Sequence, residues 1–281
     1  MSEMNTKGQS ISFEMILKTA TGLPGVRIER EEFLAAALSP YFSDDIVNKA
    51  VMQNPANAGI TVEQIDKIAN ASIRFETRNV SALSFAAGLP GGFAMAGTIP
   101  MDLAQYFGHI LRILQKLVYL YGWQELFDDN GYMDDETANL LTLFAGIMFG
   151  VSGAAGAITK IAEQAAQKTA KRLAQKALTK GAVYPIVKKV TVALGFRMTK
   201  DIFAKSVAKF VPVLGGIASG SLTYLTYKPM AVKLRDHLAT LKFADVSFYG
   251  CQPVEVDIVE ATSIDVEEPL VVNMDDEQTA E

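Results

Sequence analysis

The sequence of residues 139–158 is NLLTLFAGIMFGVSGAAGAI, a run of 20 residues without a charged side chain. About 20 apolar residues are enough for a helix to cross a bilayer, and Gly146 and Gly150 have the spacing that lets two helices approach closely. Together with Gly153 and Gly156, Gly150 could instead form a bend between two shorter helices. The run therefore leaves three alternatives: buried core helices, a membrane-embedded hairpin or a transmembrane span. We favour buried core helices.

A second apolar run repeats this glycine spacing. It extends from Val211 to Tyr227, with Gly216 and Gly220 four residues apart within it. The run is shorter than the first, and the same alternatives stay open for it. In both runs we expect the glycines Gly146, Gly150, Gly216 and Gly220 to be helix-packing positions.

The rest of the chain has the punctuation of helices rather than of strands. Pro100, Pro185 and Pro212 each open a segment, as suits a first-turn proline whose missing amide has no intrahelical partner to lose. Thr61 and Gln64 have the form of a capping box at the start of a long helix. The predicted fold class is therefore all-α, a compact multi-helix domain with glycine-rich helix contacts.

Three regions follow from composition. Residues 1–79 are expected to form a short N-terminal helical region and residues 80–242 the main helical domain. Residues 243–281 are expected to form a flexible, disordered acidic tail, because 11 Asp/Glu face no Lys or Arg there. Within the tail, Val254 to Ile258 alternate apolar and acidic residues, so pairing with a partner's sheet edge is an alternative.

The formal net charge of -5 hides two opposite poles. The positive pole is the segment from Thr159 to Lys209, which has 12 Lys/Arg and two acidic residues. Such a segment beside an apolar run predicts an anionic membrane surface or a membrane protein complex as partner. The residues assigned to this anionic-surface binding are Lys168, Lys171, Arg172, Lys176, Lys180, Lys188 and Lys189. A solvated helix face is the alternative, since the apolar side of this segment is mostly alanine.

The acidic tail could also contact the basic segment within the molecule, because its 11 acids nearly match the net positive charge there. Nucleic acid is a disfavoured partner. The basic segment lacks a recognition motif, and the tail would repel a polyanion.

One group of side chains has the spacing of a polar site. Asp102, Tyr106 and His109 share a face of the helix that starts at Pro100, with Arg112 close behind. They form either a hydrogen-bonded polar seam in a helical core, which we favour, or a general base with its orienting carboxylate. Because no nucleophile accompanies them, we assign no catalytic residue, metal ligand or cofactor and expect a non-enzymatic protein.

Cys251 is the only cysteine, so an intramolecular disulfide is excluded and a reducing compartment is favoured. The first ten residues lack the features of a secretory signal. We expect a cytoplasmic protein, either free, peripheral on the inner face of the cell membrane or partly embedded in it.

Residues 80–242 contain small-residue motifs and basic helices in an order that characterises one protein family. In chain order the motifs are Ala86-Ala87-Gly88 leading to Gly97, Ile99-Pro100-Met101-Asp102, Arg112, Leu120-Tyr121-Gly122-Trp123, Gly146-Ile147-Met148-Phe149-Gly150, Phe210-Val211-Pro212-Val213-Leu214-Gly215-Gly216 and Arg235. This segment resembles the EcsC family, bacterial proteins named for a gene beside an ABC transporter. The resemblance implies an all-helical, membrane-associated protein. It carries over no catalytic residue, since the family's biochemical activity is not established.

Two functional hypotheses follow. The first is a non-enzymatic accessory protein that associates with a membrane or a membrane complex through apolar helices and a basic surface. The second is a soluble helical protein that binds, or acts on, a small apolar or lipid-like ligand beside Asp102, Tyr106 and His109.

Overall fold

The all-α prediction is confirmed by the computed structural model, which describes residues 13–87, 101–128, 131, 133–166, 183–198, 217–259 and 261. These residues contain α-helices and 3-10 turns but no strand. The helices are α1 (Phe13–Thr21), α2 (Arg30–Leu38), α3 (Asp44–Met52), α4 (Val62–Ala87), α5 (Met101–Leu120), α6 (Asp135–Met148), α7 (Ala154–Ala166), α8 (Tyr184–Met198) and α9 (Ile217–Ala239). The 3-10 turns are Ala56–Ala58, Lys242–Ala244 and Val246–Tyr249.

The two longest helices, α4 and α9, pack along each other, and α5 lies against both of them. The N-terminal helices join the same core, since the Phe13 ring of α1 packs edge-on against Phe107 of α5 at 5.8 Å between centroids. The expected region boundary at residue 80 falls inside α4, where Val80 is buried. Residues 13–79 and the later helices therefore share one hydrophobic core.

The start of α4 has the capping box that the sequence predicts. The Thr61 amide donates to Gln64 Oε1 at 2.9 Å, and the Gln64 amide donates to Thr61 Oγ1 at 3.3 Å. Two amides at the helix start, which lack intrahelical partners, are satisfied in this way. The capping box therefore fixes the first turn of the helix that carries the candidate site.

The apolar run 139–158 is divided between α6 and α7. Gly150 has a φ of 67° and Gly153 a φ of 93°, values that favour glycine. The Val151 amide donates to the Gly146 carbonyl at 2.8 Å and closes the end of α6. The bend alternative is therefore confirmed for Gly150 and Gly153, whereas Gly156 lies inside α7. Within the described ranges, none of the helices combines the length and the apolar character needed to cross a membrane.

The expectation of a disordered tail from residue 243 is wrong for residues 243–259 and Ala261. Phe243 and Ile258 are buried, and the Phe243 ring packs edge-on against Trp123 at 5.5 Å between centroids. The acidic Glu255 and Asp257 point outward, so the negative charge does not oppose packing. The apolar residues of this stretch pack in the core. Its net charge alone predicts disorder and does not indicate this packing. Residues 262–281 lie outside the described part.

Candidate functional site

Helices α4 and α5 bring four ionisable side chains together, which we name the buried ionic cluster: Glu76, His109, Arg112 and Lys116. All four are at most 3% exposed. Glu76 Oε1 accepts from Lys116 Nζ at 2.7 Å and from Arg112 Nε at 3.2 Å. Its other oxygen, Oε2, lies 3.5 Å from His109 Nδ1. A single carboxylate on α4 therefore faces three side chains of α5.

The protonation of Glu76 is set by these neighbours. Burial alone would raise its pKa, because a carboxylate loses hydration in the interior. The contact with the His109 ring and the charges of Lys116 and Arg112 outweigh burial and lower the pKa to about 2. Glu76 is therefore ionised at neutral pH, and it accepts protons too weakly to be a general base there.

The buried ionic cluster also joins helices to a loop. Arg112 donates to the Gly25 carbonyl between α1 and α2. Three residues further on, Gln115 Nε2 donates to the Val26 carbonyl at 2.8 Å. From α9, Tyr227 Oη donates to the His109 carbonyl at 2.8 Å. Through these contacts the buried ionic cluster acts as a structural polar centre. It links α4, α5, α9 and the α1–α2 loop.

The predicted polar seam is brought together only in part. His109 and Arg112 lie in the buried ionic cluster, whereas Tyr106 contacts α9 through the side chain of Thr226. Burial raises the pKa of Tyr106 to about 12 against that hydrogen bond. Asp102 lies in the first turn of α5, and its side chain is outside the described part.

Glu76 and Lys116 are site residues that the sequence motifs do not predict. The available signal was a charged residue within an otherwise apolar helix face. Glu76 lies three residues after Ile73 and four residues before Val80, both of which are buried. A charge at such a position requires a buried partner of opposite sign.

The four predicted packing glycines have different places. A Cβ atom at Gly146 would lie 2.6 Å from Val190 Cγ1 of α8 and 3.0 Å from Ala154 Cβ of α7. Gly146 is thus a close approach between helices, whereas Gly150 ends α6 in a turn. Gly220 lies in α9, and Gly216 lies outside the described residues.

Of the residues assigned to anionic-surface binding, the structure places Lys188 and Lys189, both exposed on α8. On the same side, Tyr184 is 41% exposed and Val192 is 57% exposed. The Lys188 ammonium lies 5.0 Å from the centroid of the Tyr184 ring. We name Tyr184, Lys188, Lys189 and Val192 the α8 outer face. The other assigned residues, Lys168, Lys171, Arg172, Lys176 and Lys180, lie outside the described part.

Two surface grooves lie elsewhere on the molecule. One, of about 470 Å³, lies between the start of α4 and residues 239–253. The other, of about 590 Å³, lies between α2 and α3. Neither of these two grooves is lined by Tyr106 or His109. They therefore lend no support to a ligand beside the predicted polar seam.

No family model matches this chain, and no curated protein or solved structure matches it either. The EcsC resemblance stays a prediction that rests on the sequence motifs.

Proposed function

We propose that the protein is a non-enzymatic accessory protein that associates peripherally with an anionic membrane surface through the α8 outer face. The observation that carries this proposal is the exposure of Tyr184 and Val192 beside Lys188 and Lys189. Helices that lie on membranes combine apolar or aromatic side chains with lysines in this way. The exposed lysines supply attraction and the exposed apolar groups supply shallow contact with lipid.

The attraction is expected to be mainly electrostatic. A lysine near an anionic membrane surface contributes about 1 kcal/mol, and salt screens this contribution. Between Thr159 and Lys209 the sequence holds ten further Lys/Arg besides Lys188 and Lys189. These bases add to a long-range attraction toward anionic lipid.

The inner side of α8 supports this role because it fixes the helix on the core. Val187, Val190 and Leu194 are buried, and Val190 contacts α6 at Gly146. A helix held in this way presents its outer side chains without a cost for ordering its backbone on binding. The proposed location is the cytoplasmic face of the membrane, in agreement with the EcsC resemblance.

Sedimentation with liposomes tests the proposal. The full chain should pellet with anionic vesicles at low salt, pellet less at high salt and fail to pellet with neutral vesicles. The variant K188E/K189E should lose most of this association. The matched variant K49E/K242E makes the same charge change at exposed lysines outside α8 and should retain more of it. Equal loss in both variants, or no difference between the two vesicle types, would contradict the proposal.

The second hypothesis, an apolar ligand beside Asp102, Tyr106 and His109, gains less support. His109 is enclosed by Glu76 and by the Tyr227 hydroxyl, which donates to its carbonyl. A ligand at this place would have to displace charged groups that already contact one another, at a large desolvation cost.

A further inference from the structure

At the end of the described residues, an extended segment lies along α4. We name residues 254–259 with Ala261 the strap. Their exposure alternates: Val254 and Val256 are half-buried and Ile258 is 2% exposed, while the residues between them face solvent. The strand-like alternation in the sequence is therefore real, but the strap packs on a helix of its own chain. Along the strap, increasing residue number follows the direction of α4.

The groove under the strap binds its backbone. Gln64 Nε2 donates to the Val254 carbonyl at 2.9 Å and to the Val256 carbonyl at 2.7 Å. The Val254 amide donates to the Gly59 carbonyl at 2.8 Å, and a guanidinium nitrogen of Arg74 donates to the Ala261 carbonyl at 3.0 Å. Main-chain hydrogen bonds of this kind give a peptide-binding groove affinity that does not depend on peptide sequence.

Side chains of the strap supply selectivity. Ile258 and Ala261 are buried, and Asp257 forms an ion pair with Lys67 at 3.1 Å. The groove also requires Gly59, which has a φ of 90° and whose Cβ would lie 2.6 Å from the Gln252 carbonyl oxygen. The groove is thus shaped for an extended segment that alternates apolar and outward residues and places an acid opposite Lys67.

The charge of α4 favours an acidic ligand along the groove. Lys67, Arg74 and Arg78 are spaced to lie on one side of the helix, and all three are exposed. In the strap, Asp257 pairs with Lys67, whereas Arg74 is bound through a carbonyl oxygen. An acid opposite Arg74 or Arg78 in a bound segment would add charge complementarity to that of the Asp257–Lys67 pair.

We propose that this groove is a peptide-binding site, that the strap is its intramolecular ligand, and that an extended acidic and apolar segment of a partner protein displaces the strap. The strap follows Gly250, which has a φ of 64°, and the Cys251-Gln252-Pro253 linker. In this proposal these residues are the hinge about which the strap leaves the groove. A tethered ligand competes at an effective concentration on the order of millimolar. The strap therefore keeps weakly binding peptides out of the groove, and a peptide that binds more tightly displaces it. This site is separate from the α8 outer face and does not depend on the proposed membrane role.

A labelled peptide of residues 250–262 is the probe, and its fluorescence anisotropy measures binding to the full-length chain. Replacing Ile258 by Asp in the chain should release its own strap, so I258D should bind the peptide at least about tenfold more tightly than the wild type. Thermal unfolding monitored by circular dichroism verifies that I258D is folded, and V256D replaces it if it is not. Equal binding by the wild type and a folded strap variant, or no binding by either, would overturn the proposal.

A charge exchange tests the groove itself. In the I258D background, Lys67→Asp should weaken binding of the wild-type peptide. The same variant should bind more tightly the peptide that carries Asp257→Lys. Lys18→Asp changes an exposed lysine of α1 by the same charge and should leave peptide preference unchanged. If K67D and K18D give the same preference, the peptide does not lie in this groove and the proposal is wrong.

Discussion

At the residue scale, Glu76 is the carboxylate at the centre of the buried ionic cluster. One carboxylate serves two buried cations, Arg112 and Lys116. Glu76→Gln keeps the side-chain shape and removes the charge, so the cations remain buried without this counterion. Breaking a buried ion pair in this way typically costs about 3–5 kcal/mol. We expect a loss of that size in the free energy of unfolding, measured by urea denaturation at pH 7.

Glu63→Gln provides the control, because Glu63 is exposed on the same helix. Because Glu63 lies in the first turn of α4, its effect should stay within about 1 kcal/mol, the size of a helix-dipole interaction. A loss for E76Q no larger than that of the control would contradict the prediction.

The pH dependence of the same variant has a definite sign. The pKa of Glu76 is lowered from 4.5 to about 2, so the unfolded chain binds this proton more tightly than the folded chain does. The stabilisation is fully present above pH 4.5 and is lost as the pH falls toward 2. The difference in unfolding free energy between wild type and E76Q should therefore shrink across this window. A difference that stays constant between pH 7 and pH 2 would assign the effect to packing instead.

At the scale of helices, the contact between α6 and α8 depends on Gly146. Gly146→Ala adds a methyl group 2.6 Å from Val190 Cγ1, and overpacking costs about 1–3 kcal/mol. This cost exceeds the gain in helix propensity, so we expect a net loss of about 1–2 kcal/mol in thermal or urea unfolding. Val190→Ala in the same chain should recover part of it in a double-mutant cycle.

Gly156→Ala is the matched control on α7. A Cβ at Gly156 meets nothing within 4 Å, so the substitution should stabilise the protein by about 0.5 kcal/mol through helix propensity and chain entropy. The opposite signs expected at Gly146 and Gly156 separate close packing from propensity. A stabilising G146A would show that α6 and α8 can move apart without cost.

The helices themselves could be predicted from local chemistry. The capping box at Thr61, the first-turn proline Pro185 of α8 and the glycine bend at Gly150 act within a few residues, and each has the predicted effect. The buried ionic cluster could not be predicted in full, since Glu76 meets Lys116 only because α4 and α5 pack side by side. The strap was missed because net charge favours disorder, while the alternate burial of its apolar residues decides the outcome.

At the scale of the whole molecule, the acidic residues after Lys242 fall into two groups. Of the 11 acids after Lys242, four lie in residues 243–261 and seven in residues 262–281. The first group belongs to a segment whose apolar residues, Phe243 and Ile258 among them, are in the core. Only the second group can be removed without touching described core contacts. The charge of the tail and its packing can therefore be separated by experiment.

Two truncations make that separation. A chain ending at Ala261 loses seven acids and changes its formal net charge from -5 to +2. We expect it to unfold at the same temperature as the full chain and to sediment more strongly with anionic liposomes at low salt. A chain ending at Lys242 also loses Phe243 and Ile258, and it should be less stable by about 3–5 kcal/mol or more. Unchanged liposome association of the chain ending at Ala261 would remove the tail from any account of membrane binding, because the charge change alone should strengthen it.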